Sequence, residues 1–309
     1  MINVTKSYLP PFEHYAAILK RSWDKSWITN NGELVQELEL RLKEYLNVNQ
    51  LHFTSNGTVV LQIALKALGI TQDVITTPFS YVATTNAILW EGCQPVFVDI
   101  DPSTCCIDAH KIEAAITERT QAILATHVYG IPCNVEAIEA IAKKYGLKVI
   151  YDGAHAFGVM YKGKSLLSYG DIITCSFHAT KLFHTGEGGA LFCKDKELRH
   201  KLFYSHNFGH NGPENFHGVG INGKISELNA AMGLAVWPYF DEIVLRRKEI
   251  VETYLTLLTD VNLQFITLRE GLDWNYSYFP VVFESEDVLN RVMQDLNKQD
   301  IFPRRYFYP

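Results

Sequence analysis

The sequence contains no apolar run approaching the length of a membrane span, no cluster of basic residues and no CxxC pair. Each absence excludes a class of protein. A helix that crosses a bilayer needs roughly 20 consecutive apolar residues, so no membrane-spanning helix is expected in this sequence. The opening stretch, MINVTKSYLPPFEHY, lacks the apolar core of a signal peptide, and a cytoplasmic location is expected. A formal net charge of −6 leaves no electrostatic footprint for nucleic acid. The six cysteines, Cys93, Cys105, Cys106, Cys133, Cys175 and Cys193, show none of the His/Cys spacing of a zinc site. They are expected to be reduced and structural, with no metal bound.

What the 309 residues do hold is apolar mass, 47% hydrophobic and 12% aromatic, ample for one large α/β domain and the start of a smaller one. In GELVQELELRLKEYL the apolar Leu34, Leu38, Leu42 and Tyr45 recur at helical spacing, with Asn31 as the available cap. Short β-rich runs then alternate with helical patterns. VITTP, PVFVDI, QAILATHV and KVIYD read as strands, and TTNAILWEG, DAHKIEAAI and NVEAIEAIAKKYG as helices. This alternation predicts βαβ units around a buried, mainly parallel sheet. Further on, HNFGHNGPENFHGVGINGK has the composition of a loop, and long loops in compact domains carry function. ISELNAAMGLAVWPYFDEIVLRRKEIVETYLTLL predicts a long helical segment interrupted near Pro238, leading to a smaller domain that begins with YSYFPVVF.

Ligands of open α/β sheets bind beyond the carboxyl ends of the strands, and three groups fall there. TSNGTVVLQIALKAL sets a small polar turn, Ser55 to Thr58, before a helix with Leu61, Leu65 and Leu68 on one face. Free N–H groups and the dipole at that helix start suit an anion, and Gly57 lets the backbone approach closely; the same turn also serves as a plain N-cap. In VIYDGAHAFG an apolar strand runs straight into Asp152, an acid placed either to cap the next turn or to meet a cation. In SFHATKLFHTGEGGALF, Lys181 lies between the apolar Ile172, Ile173, Cys175 and Phe177 and the apolar Ala190, Leu191 and Phe192. Either it snorkels out of a strand-to-strand loop, or it is a desolvated nucleophile for a carbonyl. Ser176 precedes it by five residues and can bind phosphate beside it. A phosphate cradle, a buried acid and a buried lysine together are what pyridoxal phosphate needs for its phosphate, its ring nitrogen and its aldehyde.

TSNGTVVLQIAL, TPFSYVATTNAI, PVFVDID, DGAHAFG, SFHATKLFHTGEGGALF and GINGKISELNAAMG together resemble the DegT/StrS family of sugar-nucleotide aminotransferases, across essentially the whole chain. The resemblance implies an α/β fold like that of aspartate aminotransferase, fold type I of the pyridoxal phosphate enzymes. A large domain with a mixed, mainly parallel sheet would occupy residues 1–237, and a smaller C-terminal α/β domain would start at 238 and continue in relatives beyond Pro309. A homodimer with shared active sites is implied, with pyridoxal 5'-phosphate as cofactor. The implied reaction moves an amino group from glutamate onto a keto-sugar carried by a nucleotide. By the same resemblance Lys181 bonds the cofactor aldehyde, Asp152 pairs with the pyridinium nitrogen, and His155 sits near the phenolic oxygen. Tyr81 stacks on the ring, Gly57, Thr58 and Ser176 hold the phosphate, and Asn222 reaches the phosphate of the other subunit.

Within the family, SFHATK, YDGAHAFG and IFPRRYFYP most resemble members that aminate dTDP-4-keto-6-deoxyglucose at carbon 4, a step in deoxysugar biosynthesis for lipopolysaccharide O-antigen. Tyr151 and Gly153 stand where many relatives have Glu and Ala, which alters packing more than chemistry, and Lys224 stands where arginine is common. Lys224, His206, His210, Arg304 and Arg305 are the cations available to a nucleotide diphosphate. Other readings stay open: amination of a 3-keto-sugar, a UDP- or GDP-sugar substrate, an ordinary amino acid substrate, and a cofactor-binding regulator without catalysis. A sugar dehydratase of the same fold is argued against by Lys181, because that subgroup carries histidine there.

Overall fold

In the computed structural model, which describes residues 1–308, seven strands build one sheet. They are β1 (His52–Thr54), β2 (Asp73–Thr76), β3 (Gln94–Phe97), β4 (Thr120–Thr126), β5 (Lys148–Asp152), β6 (Ile172–Ser176) and β7 (Gly189–Phe192). Their order is β1-β7-β6-β5-β4-β2-β3. Every neighbouring pair is parallel except those of β7, which runs antiparallel to both β6 and β1. The mixed, mainly parallel sheet is therefore the one expected, and the turn that reverses the chain between β6 and β7 carries Lys181.

Side chains of a strand alternate between faces, so a sheet covered on both sides must be apolar at every position. In β4, Ala122 and Leu124 pack into one core while Ile123 and Ala125 pack into the other. In β5 and β6, Ile150 and Ile172 join the first, and Val149, Tyr151, Ile173 and Cys175 the second. The first core is closed by α3 (Gly57–Ala67) and α4 (Val82–Trp90), through Val60, Leu61, Leu65 and Ile88. The second holds Leu34, Leu38, Leu42 and Leu46 of α2 (Glu33–Leu46) and Ile138 of α5 (Val135–Tyr145). DAHKIEAAI forms a helical turn, Ala109–Ile112, that tightens into a 3-10 turn, Glu113–Ala115, shorter than its pattern suggests. All six cysteines are free and buried.

The remaining helices are α1 (Phe12–Asp24), α6 (Lys196–Ser205), α7 (Glu227–Val236), α8 (Phe240–Leu257) and α9 (Glu286–Lys298). A 3-10 turn, Trp237–Tyr239, separates α7 from α8 at Pro238, where the helix was expected to be interrupted. Beyond α8 the strands are short, and two pairings tie this part back to the first: Ile2 and Asn3 pair with Ile301 and Phe302, and Leu272 and Asp273 with Tyr161 and Met160.

The cap expected at Asn31 is not used. Gly32 is the N-cap of α2 and offers no side chain, while Asn31 itself adopts a left-handed conformation (φ 57°). The carboxylate of Glu227, at the start of α7, takes over from a distance. It accepts from the Leu34 and Val35 amides at 2.8 and 3.1 Å and from Ser22 Oγ of α1 at 2.9 Å. A Cβ at position 32 would lie 2.6 Å from the Glu227 Cδ, which is why glycine is required there. Glu227 is fully buried, so its charge is compensated entirely by these donors and the dipole of α2. Replacing Glu227→Ala strands three donors; we predict a loss of roughly 3 kcal/mol of stability, read as a lowered urea midpoint with unchanged slope.

Candidate active site

Strand register brings the polar ends of the sheet into one row. Thr126 lies opposite Asp152, and Asp152 opposite Thr174; Ser176 lies opposite Gly189, which pairs in turn with Thr54. Asp152 ends β5 and is buried. Its Oδ1 accepts from the Ala154 amide at 3.0 Å and its Oδ2 from Thr84 Oγ1 of α4 at 2.9 Å. Of the two roles open to this acid, capping the turn is thus met by one oxygen while the other faces a different element. Its neighbour Tyr151 points to the opposite face and stacks on His127 at 4.5 Å. A Cβ on Gly153 would meet the Thr174 carbonyl at 2.7 Å, so the two departures beside the acid are matters of packing.

Lys181 sits in the reversal between β6 and β7, its amide bonded to the His178 carbonyl at 2.8 Å. Burial lowers the proton affinity of its amine, and the negative charge of Asp152 opposes that shift. The charge of Asp152 therefore bears on the lysine, which is partly buried.

The opening of α3 meets the end of β6. A Cβ on Gly57 would lie 2.7 Å from both Cβ and Oγ of Ser176, so glycine is what lets the helix start approach the serine. Asn56 caps the helix, accepting from the Thr58 and Val59 amides at 2.9 Å. Thr58 is exposed at the same turn. The start of the α3 dipole, the serine hydroxyl and the threonine side chain are thereby gathered at one turn, a set of groups suited to a phosphate dianion.

His155 is buried, and its Nδ1 accepts from the Tyr129 amide at 3.0 Å. Burial first, and then the nearby charge of Lys181, hold its pKa well below the usual value. The ring is neutral and carries its proton on Nε2, where it can donate. The bond depends on a sharp turn in which Tyr129 (φ 56°) and Gly130 (φ 80°) are both left-handed. A Cβ at Gly130 would lie 2.9 Å from the His155 carbonyl.

Several residues at the site carried no sequence signal. Tyr278 packs on His155 with ring centroids 4.3 Å apart, and Tyr306 packs on Tyr278 at 5.8 Å. Phe307 lies parallel to Tyr129 at 6.4 Å. The late segment around Arg304 and Tyr306 thus reaches the site, and the positive charge of Arg304 adds to the lowering of the Lys181 pKa. Thr84, Ser80 and Thr126 were likewise silent, because buried threonine in a strand or helix looks like ordinary core.

The remaining candidates divide. Tyr81 precedes α4 and is 56% exposed, so it is no core residue and its ring is free to stack. Asn222 is exposed, and its Oδ1 accepts from Lys224 Nζ at 2.7 Å. The adjacent Gly223 carbonyl accepts from the Ser55 amide at 2.7 Å, which fixes the loop beside the start of α3. Of the expected cations, His206 is not one: burial lowers its pKa and it stacks against His52. Arg305 is engaged with Glu286 at 2.9 Å, and His210 packs on the Phe216 ring at 4.5 Å. Arg304, 5.2 Å over the Tyr306 ring, and Lys224 are left.

A lysine of lowered proton affinity, an anchored carboxylate, a neutral histidine and a phosphate pocket at the carboxyl edge of one sheet fit pyridoxal phosphate, and with this fold they define a cofactor-dependent aminotransferase of the aspartate aminotransferase type. The model of the DegT/DnrJ/EryC1/StrS aminotransferase family matches residues 13–309, and the chain belongs to that family. It is 46% identical over 311 residues to the dTDP-4-amino-4,6-dideoxy-D-glucose transaminase of Shigella dysenteriae, spanning 100% of this chain and 85% of that protein. Among solved structures, DesI in the presence of its TDP-sugar product superposes with a TM-score of 0.93 at 32% identity, covering 100% of this chain and 80% of that one. NtdA from Bacillus subtilis with bound cofactor PMP gives 0.87 at 31% identity, covering 96% and 69%. The cofactor of the family is pyridoxal 5'-phosphate. Among the described residues no helix is long and apolar enough to cross a membrane.

Burial has a consequence for acid stability. His127, fully buried behind Tyr151, has its pKa pushed down to about 3, and His155 is shifted the same way. The unfolded chain binds protons at both from about pH 6.5 downwards while the folded chain refuses them. Stability is fully present above that pH and falls as pH drops, by up to about 1.4 kcal/mol per pH unit for each histidine. His52 is pushed down to about 3 as well, so urea melts at pH 7.5 and 5.5 should show this loss, and His127→Phe should reduce the slope without abolishing it.

Proposed function

We propose that this chain moves an amino group from glutamate to carbon 4 of dTDP-4-keto-6-deoxyglucose, giving dTDP-4-amino-4,6-dideoxyglucose, a step in building a deoxysugar for lipopolysaccharide O-antigen. The observation that carries the chemistry is the buried Asp152, anchored at both oxygens at the carboxyl end of β5 beside the start of α3, with its charge bearing on Lys181 in the following reversal. The substrate rests on the relative from Shigella dysenteriae. Bound pyridoxal phosphate supplies the electron sink for the carbanion left when the donor loses its α-proton.

The chain's own residues do the rest. Gly57, Thr58 and Ser176 would hold the phosphate, and Tyr81 would stack on the ring. Asp152 would accept a hydrogen bond from the ring nitrogen and keep positive charge there. His155 would donate from Nε2 toward the phenolic oxygen. Lys181 Nζ, its proton affinity lowered by burial, would carry the proton from the donor's α-carbon to the cofactor in the first half of the reaction and a proton from the cofactor to carbon 4 of the sugar in the second. Arg304 and Lys224 are the cations available to the substrate's diphosphate and the donor's carboxylates. We assign Asn222 to the neighbouring site of a homodimer, the large domain to residues 1–237 and the start of the smaller to 238. Six free thiols suit a reducing compartment, and we assign the reaction to the cytoplasm.

Lys181→Ala should abolish turnover, and borohydride reduction of the wild type with cofactor should label Lys181; a label on another lysine overturns the assignment. Asp152→Asn keeps the shape without the charge and should slow transamination about a hundredfold or more while cofactor still binds. For the substrate, glutamate is incubated with separate 3-keto and 4-keto dTDP-sugars and the new C–N bond is located by NMR. Amination at carbon 4 is expected. Reaction only with the 3-keto compound, or only with UDP- or GDP-sugars, would refute the substrate.

A further inference from the structure

Behind Asp152 stands a chain of three hydroxyls that the chemistry above does not use. Thr84 Oγ1 is 2.9 Å from Asp152 Oδ2, Ser80 Oγ is 2.6 Å from Thr84 Oγ1, and Thr126 Oγ1 is 3.1 Å from Ser80 Oγ. All four residues are buried. An ionised carboxylate has no proton to give, so Thr84 must donate to it. The one hydroxyl proton of Thr84 is then spent, and its oxygen has to accept from Ser80; by the same count Ser80 accepts from Thr126. The direction of all three bonds follows from the charge at the end of the row, running from β4 through the turn before α4 to β5. Hydrogen bonds in such a buried row polarise one another and strengthen toward the charged end.

We propose that Thr84 is a positioning residue for Asp152, with Ser80 and Thr126 setting the direction of its hydroxyl. The inference rests on the reading that Asp152 faces the ring nitrogen of pyridoxal phosphate. Two donors on different elements hold the carboxylate, Ala154 at Oδ1 and Thr84 at Oδ2. A carboxylate pinned at both oxygens cannot rotate about its last bond, so the lone pairs left over keep one orientation toward the ring. Without Thr84 the group is held at one oxygen only, and its alignment with the ring N–H is lost while its charge remains.

The test uses the holoenzyme reconstituted with pyridoxal phosphate labelled with 15N in the ring. Thr84→Val, which keeps the shape and removes the hydroxyl, should shift the ring-nitrogen resonance toward its unprotonated position and lower kcat about tenfold, the size of one hydrogen bond to a charged group. Thr84→Ser restores a hydroxyl and should recover most of both losses. Ser80→Ala, which removes only the donor to Thr84, should move the resonance the same way by less, and it decides the matter if Thr84→Val fails to fold. Asp152→Asn separates this proposal from the reading beneath it. If that variant leaves the resonance in place, the assignment of Asp152 is wrong. If it moves the resonance while Thr84→Val, or in its stead Ser80→Ala, does not, the positioning role alone is overturned.

Discussion

A carboxylate buried at the end of a strand must find donors for its charge or lose the charge, and the architecture around Asp152 is arranged to supply them. The Ala154 amide comes from the turn that follows β5, and Thr84 comes from α4, which packs on one face of the sheet. Placing α4 there depends on apolar contacts of Ile88 and Ala87 with the first core. Packing that looks generic therefore sets the position of a charged group. Lys181 adds the counter-charge from the reversal after β6, and the effect is visible in the lysine, whose loss of proton affinity to burial is opposed by Asp152.

The same physics recurs at Glu227, with a different outcome. That carboxylate is also buried and also held by donors from other elements, yet among the described residues it makes no ion pair, and its partners are two helix-start amides and a serine hydroxyl. It joins α1, α2 and α7 and stands only a few residues beyond Asn222 and Lys224, the polar tip of the loop. One buried acid thus fixes the scaffold and the other the chemistry. A glycine lies close to each, Gly32 at Glu227 and Gly153 after Asp152, because in both places a Cβ would strike a carbonyl or carboxyl group.

The wall beside His155 is built from parts of the chain far apart in sequence. Tyr129, Tyr278, Tyr306 and Phe307 meet around it. Aromatic rings pack densely and exclude water, which keeps the imidazole neutral. Arg304 arrives with the same late segment, and Arg305 is turned away by its pairing with Glu286. Two adjacent arginines of identical chemistry are separated by one ion pair.

Local pattern was enough for the parallel sheet, because strands covered on both faces are uniformly apolar and their helices periodic; KVIYD and NVEAIEAIAKKYG could be read directly. It was enough also to single out Lys181, Asp152 and the turn at Gly57 as candidates, since a charge in an apolar run and a glycine before a helix are local anomalies. It could not assign the cap of α2, where Asn31 was the nearest candidate and Glu227, almost two hundred residues away, does the work. Nor could it tell His206 from a cation or Arg304 from Arg305, because charge state and pairing depend on what burial brings alongside. Thr84, Ser80 and Thr126 were invisible for the same reason: a hydroxyl acquires direction only from the group it meets. The sequence by itself determined which side chains could bear charge and which segments would be strands; only the tertiary structure decided which charges face one another, because that depends on strand register and helix packing rather than on neighbours along the chain.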